Sequence, residues 1–295
     1  MLISYKIPQD YIDYQRFFAT ITPRNFAINE KWRIMLVRLF VFFLALFSVS
    51  NANAGHHSLK NKIVLAADEW CPYTCGENDA KQGILVDVAR EAFAKHGIEV
   101  VYKVVPWSRA IQNARIGKFD GVLGASKGEV PDFIYPALSQ ATSHLVFYTP
   151  ASSSWQYDYE ENDSLKKISF GVVADYSYNR EIDLYIKRNK NDPSKVQIVY
   201  GANAIDMNMK KMLAGRIDAL LDDALVINRY LKKNGLEDKV QLAGILPEDL
   251  TSYLYIAFTP HDKNAKKYSW ILDKETLSMI YSGRLAEIAN EYQNY

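Results

Sequence analysis

The chain has 295 residues, 48% of them hydrophobic and 23% charged, with 35 Lys and Arg against 34 Asp and Glu. That near-balance gives no electrostatic reason to expect nucleic acid or an anionic membrane surface as a partner. Two cysteines and five scattered histidines fall short of the ligand sets that hold zinc, and no metal or other cofactor is expected.

Leu39 to Ser50 is almost wholly apolar, follows Lys31, Arg33 and Arg38, and precedes the small-residue stretch Asn51-Ala52-Asn53-Ala54. A basic region, a short apolar core and an A-x-A-like site read as a secretory signal. The core is shorter than the roughly 20 residues that span a bilayer. Cleavage is expected after Ala54, so that residues 1–54 form an N-terminal extension plus signal peptide and the mature protein is periplasmic. Met35 lies where a signal of ordinary length would start, so the segment before it is expected to be an upstream extension of the reading frame. Removing residues 1–54 takes away 6 basic and 3 acidic residues, leaving 29 against 31 and a net charge of −2.

Lys62 to Asp68 reads as a buried first strand. Glu69-Trp70-Cys71-Pro72-Tyr73-Thr74-Cys75-Gly76 is a loop at its carboxyl end. In an oxidising compartment the closely spaced pair Cys71 and Cys75 reads as a disulfide. Its loop is too small for much chain-entropy stabilisation, so its role is to hold a local turn. Gly83 to His96 is amphipathic with Gly97 at its end. Ile98 to Val105 is the next strand, and Pro106-Trp107-Ser108-Arg109 leads into another helix.

A phrase then occurs that the chain repeats 98 positions later: Gly117-Lys118-Phe119-Asp120-Gly121-Val122-Leu123-Gly124 returns as Gly215-Arg216-Ile217-Asp218-Ala219-Leu220-Leu221-Asp222. In each copy a helix ends on a glycine suited to a left-handed cap, and a short apolar run after the Asp reads as a buried strand. Each copy is thus the second half of a βαβ unit. The recurrence of Asp120 and Asp218 favours a structural role at the helix–strand joint. Both strands end in residues suited to a ligand, Gly124-Ala125-Ser126-Lys127 and Asp222-Asp223, at the strand ends where α/β sheets collect their ligands.

Ser143 to Tyr148 reads as a strand of the first half, and the Ser- and acid-rich stretch after Pro150 as a boundary. A second α/β run follows: strand Ile168 to Val173, helix Asp175 to Asn189, strand Val196 to Tyr200, and the second copy of the phrase. Then come helix Ala224 to Lys233, a short strand near Val240–Ala243, strand Ser252 to Phe258, and helices from Ala265 to Tyr292. Two similar halves that face a shared cleft are expected.

In order, these signals resemble the extracellular solute-binding proteins of family 3, the polar amino-acid receptors of ABC importers. The resemblance covers nearly all of the mature chain. It implies an α/β, two-lobed type II periplasmic-binding-protein-like fold, each lobe a mostly parallel sheet flanked by helices, joined by two crossing strands. Lobe 1 would begin with residues 60–150, lobe 2 would span 151–250, and residues 251–295 would return to lobe 1. The crossings would lie near Tyr148–Ser152 and Thr251–Tyr255. The implied function is capture of a small polar, amino-acid-like solute and its delivery to an ABC permease by a monomeric, non-enzymatic receptor.

The resemblance places Asp223 where the family holds a ligand's ammonium; the alternatives are a solvated loop acid or a partner for Arg229 one to two turns on. It places Trp70 and Tyr73 where aromatics sandwich the ligand, or pack over the disulfide. Trp107 and Arg109 follow a strand; Arg109 would pair with a ligand carboxylate or phosphate, or bridge the lobes. The family's Thr-x-x-Arg, whose Arg clamps an α-carboxylate, reads here as Ser126-Lys127-Gly128-Glu129, leaving Lys127 or Arg109 as substitutes. Tyr176 lies in the second lobe's helix-start segment, where Asp175 would cap the helix.

Two rivals are weighed. A periplasmic cyclohexadienyl dehydratase on the same fold would use a buried acid, with Glu69, Asp120, Asp218 and Asp223 as candidates. A freestanding sensory receptor would signal to a separate membrane partner. No hydrolase elbow, zinc motif or phosphate loop is present.

Overall fold

The computed structural model describes residues 59–159, 164–247 and 252–292. The expected signal peptide and cleavage site lie outside the described residues. The first sheet starts with β1 (Lys62–Ala67), α1 (Ile84–Ala94), β2 (Glu99–Val104), α2 (Trp107–Arg115), β3 (Gly121–Ala125) and β4 (Ala141–Ser143). The second is built from β5 (Leu145–Pro150), β6 (Phe170–Val173), α3 (Arg180–Asn189), β7 (Val196–Val199), α4 (Ala204–Leu213), β8 (Ala219–Asp223), α5 (Ala224–Asn234) and β9 (Val240–Ile245). The chain then returns through β10 (Ser252–Phe258), α6 (Ala265–Ser282) and α7 (Arg284–Glu291).

The strand orders are β2-β1-β3-β10-β4 and β7-β6-β8-β5-β9, so the two sheets share one plan. In each, three parallel strands are joined by an antiparallel strand that comes from the other half of the chain: β10 against β3 and β5 against β8. The sheets are therefore mixed rather than mostly parallel.

Strand β5 pairs with β8 and β9 and with nothing in the first sheet. The first crossing thus lies between Ser143 and Leu145, several residues before the expected Tyr148–Ser152. The apolar run 145–148 is equally suited to either sheet by composition, and only its ladder partners decide. The return crossing lies between Ile245 and Ser252.

The repeated phrase closes both halves in the same way. Asp120 accepts a bond from the backbone N–H of Val64 in β1 at 2.7 Å and pairs with Lys60. Asp218 accepts from the backbone N–H and hydroxyl of Ser169, just before β6, at 2.8 and 2.7 Å. Each Asp ties the strand it precedes to that strand's parallel neighbour, β1 or β6. Gly117 and Gly215 adopt φ of 77° and 66°, the left-handed region where a Cβ is penalised.

Helices α6 and α7 pack against α1 and so seat the C-terminus on the first sheet. The Tyr292 hydroxyl donates to Asp87 at 2.6 Å and accepts from the N–H of Gly83 at 2.9 Å. Gly83 has φ 122°, and a Cβ there would meet the Tyr73 carbonyl oxygen at 2.3 Å. This close approach lets the N–H groups of Ile84 and Leu85 reach the carbonyls of Pro72 and Tyr73, at 2.9 and 3.0 Å. The aromatic loop is thereby docked on the first turn of α1. Gly83→Ala is expected to destabilise the fold by roughly 2 kcal/mol or more, read as a drop in the urea unfolding midpoint with little change in slope.

Candidate functional site

The carboxyl ends of β1 and β3 in the first sheet face those of β6 and β8 in the second. Between them lies a cavity of about 40 Å³ whose walls include Asp68, Trp70, Trp107, Ser126, Glu129, Tyr176, Tyr178 and Asp222. A water needs about 10–15 Å³ on this measure, so the cavity holds only a few such groups. A more open groove of about 350 Å³, lined by Ser108, Gln112, Arg115, Asp175 and Asp183, shares Glu129, Tyr176 and Ser177 with the cavity wall.

Direct bonds join the two halves around this cavity. Trp70 Nε1 donates to Asp222 Oδ1 at 2.7 Å, and Tyr176 Oη to Asp68 Oδ2 at 2.6 Å. Trp107 Nε1 lies 2.9 Å from Glu129 Oε1 and 3.2 Å from the Asp175 carbonyl, while Ser177 N–H donates to Glu129 Oε1 at 3.2 Å. Each pairs an indole, phenol or amide of one strand end with an acceptor at another.

The loop after β1 is held by several devices. Cys71 and Cys75 form the expected disulfide, with Cα atoms 4.3 Å apart. Trp70 and Thr74 exchange backbone bonds across the loop, and the Tyr102 hydroxyl donates to the Cys75 carbonyl at 2.8 Å. Tyr73 stacks on Trp70 with centroids 4.7 Å apart and stands behind it rather than in the cavity wall.

Three carboxyls face the cavity, and burial raises each above its ordinary value. Asp68 is pushed to about 7, although the Tyr176 hydroxyl opposes the rise. Asp222 is pushed to about 7 against the bond from Trp70, and Glu129 to about 8 against bonds from Ser126, Trp107 and Ser177. No Lys, Arg or His lines the cavity.

Of the expected contacts, Trp70, Trp107 and Tyr176 line the cavity. Asp223 does not. It is 0% exposed, and its oxygens accept from Leu225 N, Val226 N, His144 N, Ser143 Oγ and Tyr73 Oη at 2.8 to 3.2 Å. It caps α5, and every site that an ammonium would need is engaged. An Asp directly before a helical run is itself the capping signal.

Arg109 is exposed on α2 and borders neither cavity nor groove. Lys127 is exposed, with its ammonium 4.7 Å from the centre of the Tyr255 ring. Asp175, at φ 61°, does not cap α3; that helix starts five residues later, where Asn179 accepts from Ile182 N at 2.8 Å. Of the acids weighed for an enzyme, Glu69 is exposed and Asp120 and Asp218 anchor strands.

Residues 63–295 match the bacterial extracellular solute-binding proteins, family 3. The chain belongs to this family. Among curated relatives, the probable amino-acid-binding protein YxeM of Bacillus subtilis is 22% identical, over 90% of this chain and 96% of that protein. An ancestral arginine-binding protein bound to arginine superposes with a TM-score of 0.64 at 17% identity, over 80% of this chain and 99% of that one. The protein of a study of glutathione import through GshT and the cystine ABC importer TcyBC of Streptococcus mutans gives 0.64 at 19% identity, over 79% and 95%. At such identities the likeness to these structures is one of fold, the type II periplasmic-binding fold. Among the described residues no cluster of three or more His, Cys, Asp or Glu is placed to hold a metal.

Two outcomes follow from the placement of the acids. Asp223→Ala removes a helix cap and strands buried donors, and is expected to cost roughly 1–3 kcal/mol in denaturant titration. The cavity acids act in the opposite sense. Unfolded Asp and Glu titrate from 3.8 and 4.5, whereas Asp68, Asp222 and Glu129 hold protons to about 7, 7 and 8. Between those values the folded protein binds more protons than the unfolded chain, so this contribution to stability falls as pH rises. The melting temperature of Asp222→Asn should therefore gain on that of the parent as pH is raised through this window.

Proposed function

We propose that the chain is an exported receptor that captures a small polar, amino-acid-like solute between its two halves and presents it to an ABC-type permease of the inner membrane. The carrying observation is the cavity at the facing carboxyl ends of two similarly ordered sheets, bridged by Trp70–Asp222 and Tyr176–Asp68. The two halves are linked by two crossings, which permits hinge closure over a bound solute. Trp70, Trp107, Tyr176, Asp68, Glu129 and Asp222 are the contacts this reading assigns, and Tyr73 and Asp223 hold them in place. Lys127 and Arg109 line neither the cavity nor the groove and are assigned no contact. Capture without turnover is the reading that fits the amino-acid-binding names of the relatives. Three cavity carboxyls without a cation also speak against a dicarboxylate substrate of the dehydratase kind. The mature protein is periplasmic and works as a monomer.

A calorimetric panel of amino acids, amines, small peptides and organic acids tests this. One class should bind and raise the melting temperature by mass action, and mass spectrometry should recover the solute unchanged. Chemical conversion of the solute, or retention of the protein in the cytoplasmic fraction of cells, would overturn it.

A further inference from the structure

Resting on that receptor reading, we infer that the solute is a protonated primary amine without a free carboxylate, its ammonium held by Asp222 in a wall that also carries Asp68, Glu129 and the rings of Trp70, Trp107 and Tyr176.

Three observations carry this. First, all the titratable carboxyls in the cavity wall, Asp68, Glu129 and Asp222, are negative when ionised, and no basic side chain lines it. A ligand carboxylate would enter as a fourth acid. Second, the strongest donors of the wall are already engaged: Trp70 with Asp222, Tyr176 with Asp68, Trp107 with Glu129. What is unmet is an acceptor. Asp222 is 1% exposed, and its Oδ2 has no hydrogen-bond partner among the described residues. A buried carboxylate oxygen in that state calls for an N–H donor. A primary ammonium offers three, whereas a quaternary ammonium offers none.

Third, aromatic rings line the cavity. Tyr176 lies edge-on to both Trp70 and Trp107, with centroids 6.1 and 6.3 Å away, so three π-systems stand in the wall that a cation would meet. The inner cavity is small, but its walls at Glu129, Tyr176 and Ser177 also line the larger groove. An alkyl amine can place its ammonium innermost and run its chain outward.

The titratable groups that bear on the three acids include Glu69 and Tyr102 near Asp68, Tyr135 and Tyr178 near Glu129, and Asp223, Tyr176 and Tyr178 near Asp222; Arg115, which lines the groove with Glu129, is held in a bidentate pair with Asp132. A bound cation is thus the charge that lets the trio ionise. Binding should release protons, and affinity should rise as pH moves up through about 7 to 8, where these carboxyls titrate.

The experiment is calorimetry with matched pairs that differ only in the α-carboxylate: cadaverine against L-lysine, putrescine against L-ornithine, agmatine against L-arginine. At least one amine should bind at least roughly tenfold tighter than its amino acid. Runs in two buffers of different ionisation heat should show proton release. Asp222→Asn and Glu129→Gln, each checked by circular dichroism, should weaken that amine at least roughly tenfold. Tighter binding of the amino acid in every pair, or unchanged amine affinity in both variants, overturns the inference and leaves the receptor reading standing. Failure of both series, together with failure of the wider panel, overturns both.

Discussion

The bond from Trp70 Nε1 to Asp222 Oδ1, 2.7 Å long, is where the two halves of the molecule meet and where their separate constructions are tested. Trp70 reaches it because the disulfide, the Tyr73 ring and the close approach at Gly83 hold its loop on α1. Asp222 reaches it because β8 is held between β6 and β5. The neighbouring Asp223 then ends that strand by capping α5, which fixes which of the two acids points at the cleft. A buried charge-capable bond of this sort is sensitive to water, and separating the halves would return both partners to solvent.

Much of this plan was legible. The repeated Gly-x-x-Asp phrase located both parallel strands, and its Asp residues proved to be the ties that close each sheet. The periodic helices and the closely spaced cysteines were equally plain. What escaped were distinctions that only tertiary pairing makes. Composition could not tell which sheet would take residues 145–150, because an antiparallel crossing strand is as apolar as a core strand. Asp222 and Asp223 are adjacent and alike, and their roles differ by one residue of strand alternation. Asp223 carried the visible capping signal, so Asp222 was the acid left for the cavity. Glu129 stands where the family pattern has an arginine, and its carboxyl lines the cavity instead.

The acids set the energetics of closing. A solute can shift the balance between open and closed forms only by its differential affinity for them. Here the cavity confines three carboxyls where burial disfavours their ionised forms. On the amine reading, an opened cleft would let water solvate them, and closure over a neutral or anionic guest would require protonating them first. Closure over a cation would instead replace water with a charge of the right sign, in a medium where that attraction is strong. Selectivity on that reading would not need many contacts. The rings would accept an apolar stem, while the carboxyls would disfavour whatever could not let them ionise. The same wall that would make the pocket hard to close on its own would make closing informative about the guest.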